Sequence, residues 1–128
     1  MNGMERVWIA PAFIWLATLY FVIGVLMGNG MSMAHNYQLM PSHAHINLLG
    51  WVSLALFGCI YKAWPALSTG RLASLHFWTY NLALPPMMLF LIMYRLGNAG
   101  IEPALAATSL LATLGTGLFA INVFQNVR

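Results

Sequence analysis

Apolar residues run along this chain in four long blocks, broken by short stretches of Gly, Pro and polar residues. The blocks, 7–27, 42–64, 72–94 and 103–123, each approach the roughly 20 residues an α-helix needs to cross about 30 Å of hydrocarbon. The breaks read GNGMSMAHNYQLMP, PALSTGR and LGNAGIE, with the residue types of turns. Connections this short join antiparallel neighbours. The pattern predicts one domain over residues 1–128, an all-α bundle of four transmembrane helices with no room for a soluble module.

Local signals sharpen the elements. Pro41 suits the start of the second helix, where a missing N–H is harmless, and Ser42 is placed to cap it. Pro85 and Pro86 interrupt the third helix, which predicts a kink, with Asn81 one turn earlier to serve the freed carbonyls. Gly24 and Gly28, Thr108 and Ala112, and then Gly115 and Gly117 supply the small residues that let helices approach closely in lipid. The first block resembles a signal peptide only superficially. It is longer than such an apolar core, and Glu5 stands beside Arg6, so a retained helix is expected.

Composition agrees with a bilayer location: 61% of residues are hydrophobic and 5% charged. With the amino terminus in the cytoplasm, Arg6, Lys62, Arg71 and Arg128 fall inside and only Arg95 outside, as the positive-inside rule prefers. The formal charge of +3 is therefore a topology signal, and no basic cluster suggests nucleic-acid binding. Cys59, the single cysteine, reads as a small buried apolar residue in the second helix.

The chemistry-bearing residues are His35, His43 and His45, in MAHNYQLMPSHAHINLLGW. Ionisable groups at membrane depth usually serve an ion, a partner or a cofactor, and neutral imidazole is the commonest ligand for transition metals and haem iron. Two positions along a helix is about 200° of rotation, so His43 and His45 point to nearly opposite sides and cannot readily chelate one ion together. That favours an oligomer in which each addresses a different compartment. The other reading places both rings at the membrane interface in the helix's first turn, and spacing alone leaves both open.

The H-x7-H-x-H run resembles the late part of the catalytic subunit I of haem-copper oxidases, where it leads into the tenth helix. GCIYKAWPALSTG is similar to that family's aromatic-Pro-Leu exit from the tenth helix, and LHFWTYNLALPPMM to the opening of the eleventh. The chain looks like helices nine to twelve alone, as in small four-helix bacterial membrane proteins classed as oxidase subunit I-like. The resemblance implies that His43 matches the high-spin haem ligand and His45 the low-spin haem ligand. His35 matches a residue of the Mg or Mn site, although Asn36 stands where that site has Asp. It also implies a multi-pass protein of the bacterial cytoplasmic membrane.

The family's three copper histidines, its cross-linked tyrosine and its other low-spin haem ligand lie outside these four helices, so oxygen reduction by one copy is not expected. Glu5 and Glu102 are the only acids, which excludes a paired-carboxylate site. The resemblance brings a symmetry: the oxidase subunit has twelve helices in three arcs of four. A homotrimer of this chain would rebuild twelve, and each pore could present His43 of one protomer and His45 of the next. Haem b between two histidines, with walls from Trp51, Phe57 and Trp64, gives a redox or electron-transfer role and calls for a redox partner. Copper or zinc handling is the alternative, favoured by Met31, Met33, Met40 and His35 in the external loop. A third is a cofactor-free oxidase assembly partner. His76, the remaining histidine, reads as interfacial or structural.

Overall fold

The computed structural model describes residues 6–128, and every regular element among them is helical. Four helices long and apolar enough to span a membrane follow one another: α1 Ile9–Ala34, α2 Met40–Ala63, α3 Arg71–Arg95 and α4 Glu102–Asn126. One 3-10 turn, Pro65–Ser68, lies between α2 and α3, and another, Ala99–Ile101, between α3 and α4. The expected fold class stands. Glu5 lies outside the described residues.

Hydrogen bonds tie the helix ends into an up-and-down order. At one end the Arg6 guanidinium donates to the carbonyls of Thr69 and Gly70, at 3.2 and 2.7 Å. At the other, the Gln38 amide donates to the Arg95 carbonyl at 2.6 Å, and Arg95 Nε donates back to the Gln38 carbonyl at 3.1 Å. Arg6, Lys62, Arg71 and Arg128 thus gather at one end of the bundle, with Arg95 and Glu102 at the other.

The first helix runs farther than its apolar block. It ends at Ala34, where His35 takes left-handed backbone angles (φ 49°) and its N–H closes the last turn on Ser32. Only residues 35–39 form the connection, so Met31 and Met33 belong to α1 and Met40 to α2. The cap assignment also changes. Leu39 precedes α2, while Ser42 lies fully buried inside its first turn. α3 passes through Pro85 and Pro86 as one helix, and the Asn81 amide donates to the Phe77 carbonyl at 2.8 Å, not to the carbonyls those prolines leave free.

The middle of α2 carries a feature that the pattern did not announce. Residues Ile46–Val52 form a π-helical segment. Its cause is readable in the buried stripe Ser42, Ile46, Gly50, Leu54, which repeats every four residues. An α-helix of 3.6 residues per turn would rotate such a stripe by about 40° each turn, about 120° over three steps. The wider π turns absorb that drift and keep the stripe on the core. Side chains serve the rearranged carbonyls: Ser53 Oγ donates to Leu48 at 2.6 Å and the Tyr80 hydroxyl to Leu49 at 2.8 Å.

Close approach between helices rests on small residues, as packing in lipid requires. Gly24 faces the Asn47 side chain, Gly28 the His43 ring, and Gly115 the backbone of Tyr80, whereas Gly117 meets nothing. A Cβ on Gly50 would lie 2.5 Å from Tyr20 Cγ and 2.8 Å from its Cβ, so the whole side chain would have to move. Gly50→Ala is therefore expected to destabilise the protein by about 1–3 kcal/mol. By contrast Gly117→Ala should be neutral or stabilising by up to about 1 kcal/mol, since it removes a helix-interior glycine without a clash. Thermal unfolding in detergent, followed by circular dichroism, measures both.

Candidate functional site

The two histidines of α2 flank its buried stripe. His43 follows Ser42 and His45 precedes Ile46, so one side chain leaves the stripe about 100° to one side and the other about 100° to the other. Both are half-buried. On His43's flank stands α1: a Cβ on Gly28 would lie 3.0 Å from the His43 Cε1 atom, so the glycine makes room for the ring. The Asn47 amide nitrogen lies 2.9 Å from the His43 carbonyl and 3.3 and 3.4 Å from the two ring nitrogens, packing against this imidazole from the next turn.

His45 is oriented by its own helix. Its Nδ1 lies 2.7 Å from the Pro41 carbonyl. A carbonyl only accepts, so Nδ1 carries the hydrogen and Nε2 is left with a lone pair, the form of imidazole that binds a metal. Pro41 contributes its carbonyl at a position where its missing N–H costs the helix nothing.

His35 is exposed at the C-cap of α1. Beside it Asn36 accepts the Gln38 backbone N–H through Oδ1 at 3.0 Å, which shapes the short loop. Among the described residues no three His, Cys, Asp or Glu side chains gather in a way that could hold a metal ion within one chain. Met31 is buried, and Met33 is exposed at the end of α1. The expected methionine-rich loop therefore reduces to a five-residue turn.

The aromatic walls need a similar correction. Phe57 lies several turns along α2 from His45, and Trp64 follows the helix's far end, too far to face a group at the level of His45. Phe57 is instead buried in the core. Trp51, nearer, stacks on Phe21 of α1 with ring centroids 4.5 Å apart.

His76, read as interfacial or structural, takes the structural place: it is fully buried among Phe13, Phe57, Tyr61, Tyr80 and Phe119. A polar chain crosses three helices to reach it. Asn126 donates to Asn122 Oδ1 at 2.8 Å; Asn122 Nδ2 donates to the Leu67 carbonyl at 2.9 Å and to the Tyr61 oxygen at 3.4 Å. The Tyr61 hydroxyl hydrogen is then directed to His76 Nδ1, 3.0 Å away. With Nδ1 accepting, Nε2 carries the ring's one N–H, and it has no hydrogen-bond partner among the described residues. Aromatic rings surround it, and these are only weak acceptors. The signal was present in sequence: Ala73, His76, Phe77, Tyr80, Ala83, Leu84 and Met87 form a helical stripe that places His76 on the core face. Cys59, expected to be buried, is exposed on the outer side of α2.

Comparison with curated proteins and with solved structures gave no match. A comparison with family models did. The model described as cytochrome c and quinol oxidase polypeptide I matches residues 31–125, which include His35, His43 and His45 and the whole of α2 and α3. With that match over most of the chain, and with four antiparallel membrane-length helices carrying the histidine run at one end, the chain belongs to the cytochrome c and quinol oxidase polypeptide I family and is a haem-copper oxidase-related multi-pass membrane protein.

Proposed function

We propose that the protein holds haem b between His43 of one protomer and His45 of the next in a homotrimer, and serves electron transfer without reducing oxygen by itself. The observation that supports this reading is the 2.7 Å bond from His45 Nδ1 to Pro41, which orients the ring from within its own helix and leaves Nε2 free for a ligand. The residues fit the group. Two imidazoles on opposite flanks of one helix suit two-sided ligation from separate chains, and haem iron held this way would supply a one-electron change. His43 would hold its side from the α1 face, where Gly28 and Asn47 set the ring's position.

The charge distribution supports an amino terminus in the cytoplasm, since four of the five cationic side chains lie at the Arg6 end. His35 and the histidine pair then face outward. An impermeant maleimide should label an Asn36→Cys, Cys59→Ser variant from outside intact cells; labelling only after lysis reverses the assignment.

Absorption spectra of detergent-purified protein, oxidised and then dithionite-reduced, test the ligand. A Soret band that shifts on reduction is expected, with His45→Ala retaining haem at least about tenfold more weakly. A colourless protein with stoichiometric copper or zinc would replace haem by metal handling. A colourless, metal-free protein would leave the assembly-partner reading.

A further inference from the structure

A second site lies at the opposite end of the bundle from the histidine pair. A cleft of about 650 Å³ opens between the start of α1 and the end of α2. Its walls are apolar, with Ala10, Pro11, Ile14 and Trp15 on one side and Gly58 on the other, and among the described residues its lining includes Arg6 and Lys62 but no carboxylate. These two cations are far apart in sequence and meet here because antiparallel packing sets the foot of α1 beside the last turn of α2. Two of the Arg6 guanidinium hydrogen bonds go to the Thr69 and Gly70 carbonyls, which anchor the side chain while leaving its charge uncompensated by them.

We infer that this cleft binds one anionic diacyl phospholipid, with the phosphate held by Arg6 and Lys62 and an acyl chain lying against Trp15 and Ile14. Depth and charge agree with that occupant. The cations stand at a helix end, at headgroup level, and the apolar wall runs from them toward the middle of the membrane; basic pockets between helices take anionic headgroups in this way. A second copy of the chain is a poor occupant. Copies inserted in one orientation place Glu102 in the other leaflet, so among the described residues no side-chain carboxylate reaches these cations. Among the described residues this end carries Arg6, Lys62, Arg71 and Arg128 and no acidic side chain. Gly58 keeps the cleft narrow at its base: a Cβ there would lie 2.7 Å from Ile14 Cδ1 and 3.0 Å from the Ala10 carbonyl oxygen.

Cys59, exposed in the cleft wall and the only cysteine, is a built-in reporter. The full chain is reconstituted in vesicles of phosphatidylcholine alone or of equal phosphatidylcholine and phosphatidylglycerol, then extracted gently. Co-purified lipid is counted by native mass spectrometry, and the rate of maleimide attack on Cys59 is followed in both vesicles. Wild-type protein should retain about one phosphatidylglycerol and show slower labelling when it is present. Lys62→Gln should weaken retention about fivefold, the effect of one cation at a membrane surface, while Arg71→Gln, at the same end but outside the cleft, should not. Equal retention of both lipids, or equal losses from Lys62→Gln and Arg71→Gln, overturns the site. So does Cys59 protection in pure phosphatidylcholine that scales with oligomer formation, which would assign the cleft to a protein contact.

Discussion

Alanine in place of His76 is expected to destabilise the protein by about 3–5 kcal/mol, the range for emptying a ring-sized site in a packed core. The loss has two parts that other variants separate. His76→Phe refills the space among Phe13, Phe57 and Phe119 but leaves the Tyr61 hydroxyl without its acceptor, at a cost of about 1–3 kcal/mol. Tyr61→Phe combined with His76→Phe removes both partners at once and should recover most of that cost, because Asn122 loses only its long 3.4 Å contact to the Tyr61 oxygen and keeps its 2.9 Å bond to the Leu67 carbonyl. Unfolding by dodecyl sulfate in mixed micelles gives the four stabilities of the cycle. A wild-type stability for His76→Phe, with no coupling to Tyr61, would show that the ring packs without using its hydrogen bond. The same variant should leave any haem spectrum unchanged, which distinguishes this histidine from the pair on α2.

Much of this fold was legible because a bilayer allows few solutions. Four apolar blocks with short turns between them leave little besides an antiparallel bundle, and lipid-facing residues such as Trp15, Leu82 and Phe124 remain exposed without penalty. The histidine run was legible for the opposite reason, since imidazole at a helix entrance stands out against an apolar background. What escaped was internal geometry. Gly28 and Gly30 read as turn residues and end the first apolar block early, whereas Gly28 is helical and spaces α1 from His43. Ser42 read as a cap because hydroxyls commonly do that work, but it begins the four-residue stripe and is buried. The π segment follows from that stripe, and spacing of four was its only sequence signal.

Cys59 escaped in the same manner, and of the two readings of His76, interfacial or structural, only register selects the buried one. A polar residue near a helix end suggests an interface, and a thiol inside an apolar helix suggests a core. Each rule uses chemistry where register decides. On α3 the stripe that includes Phe77 and Tyr80 carries His76 inward, while on α2 the ridge of Leu48, Val52 and Leu56 continues to Cys59 on the outside. Lipid accepts an exposed thiol. A buried imidazole needs the Asn126, Asn122 and Tyr61 chain behind it.

Mixing two inactive variants should restore ligand binding. If each pore takes His43 from one protomer and His45 from its neighbour, His43→Ala and His45→Ala trimers each lose one ligand at all three sites. A mixed trimer behaves differently. Wherever a His45→Ala chain supplies His43 to a neighbouring His43→Ala chain, the pair is complete, and a closed ring of three containing both kinds has one such junction. Random assembly of equal amounts makes about three quarters of trimers mixed, so about a quarter of wild-type binding should return. The placement of the rings motivates the test, since His43 leaves the buried stripe toward α1 and His45 toward the other flank. Coexpression with two affinity tags isolates mixed assemblies, native mass spectrometry counts their chains, and haem or metal per trimer is read by absorbance or elemental analysis. No recovery in verified mixed trimers would confine the site to one chain or remove it. Full binding by either pure variant would release that histidine from the ligand set, and a dimer or monomer under every gentle detergent condition would remove the shared pore itself.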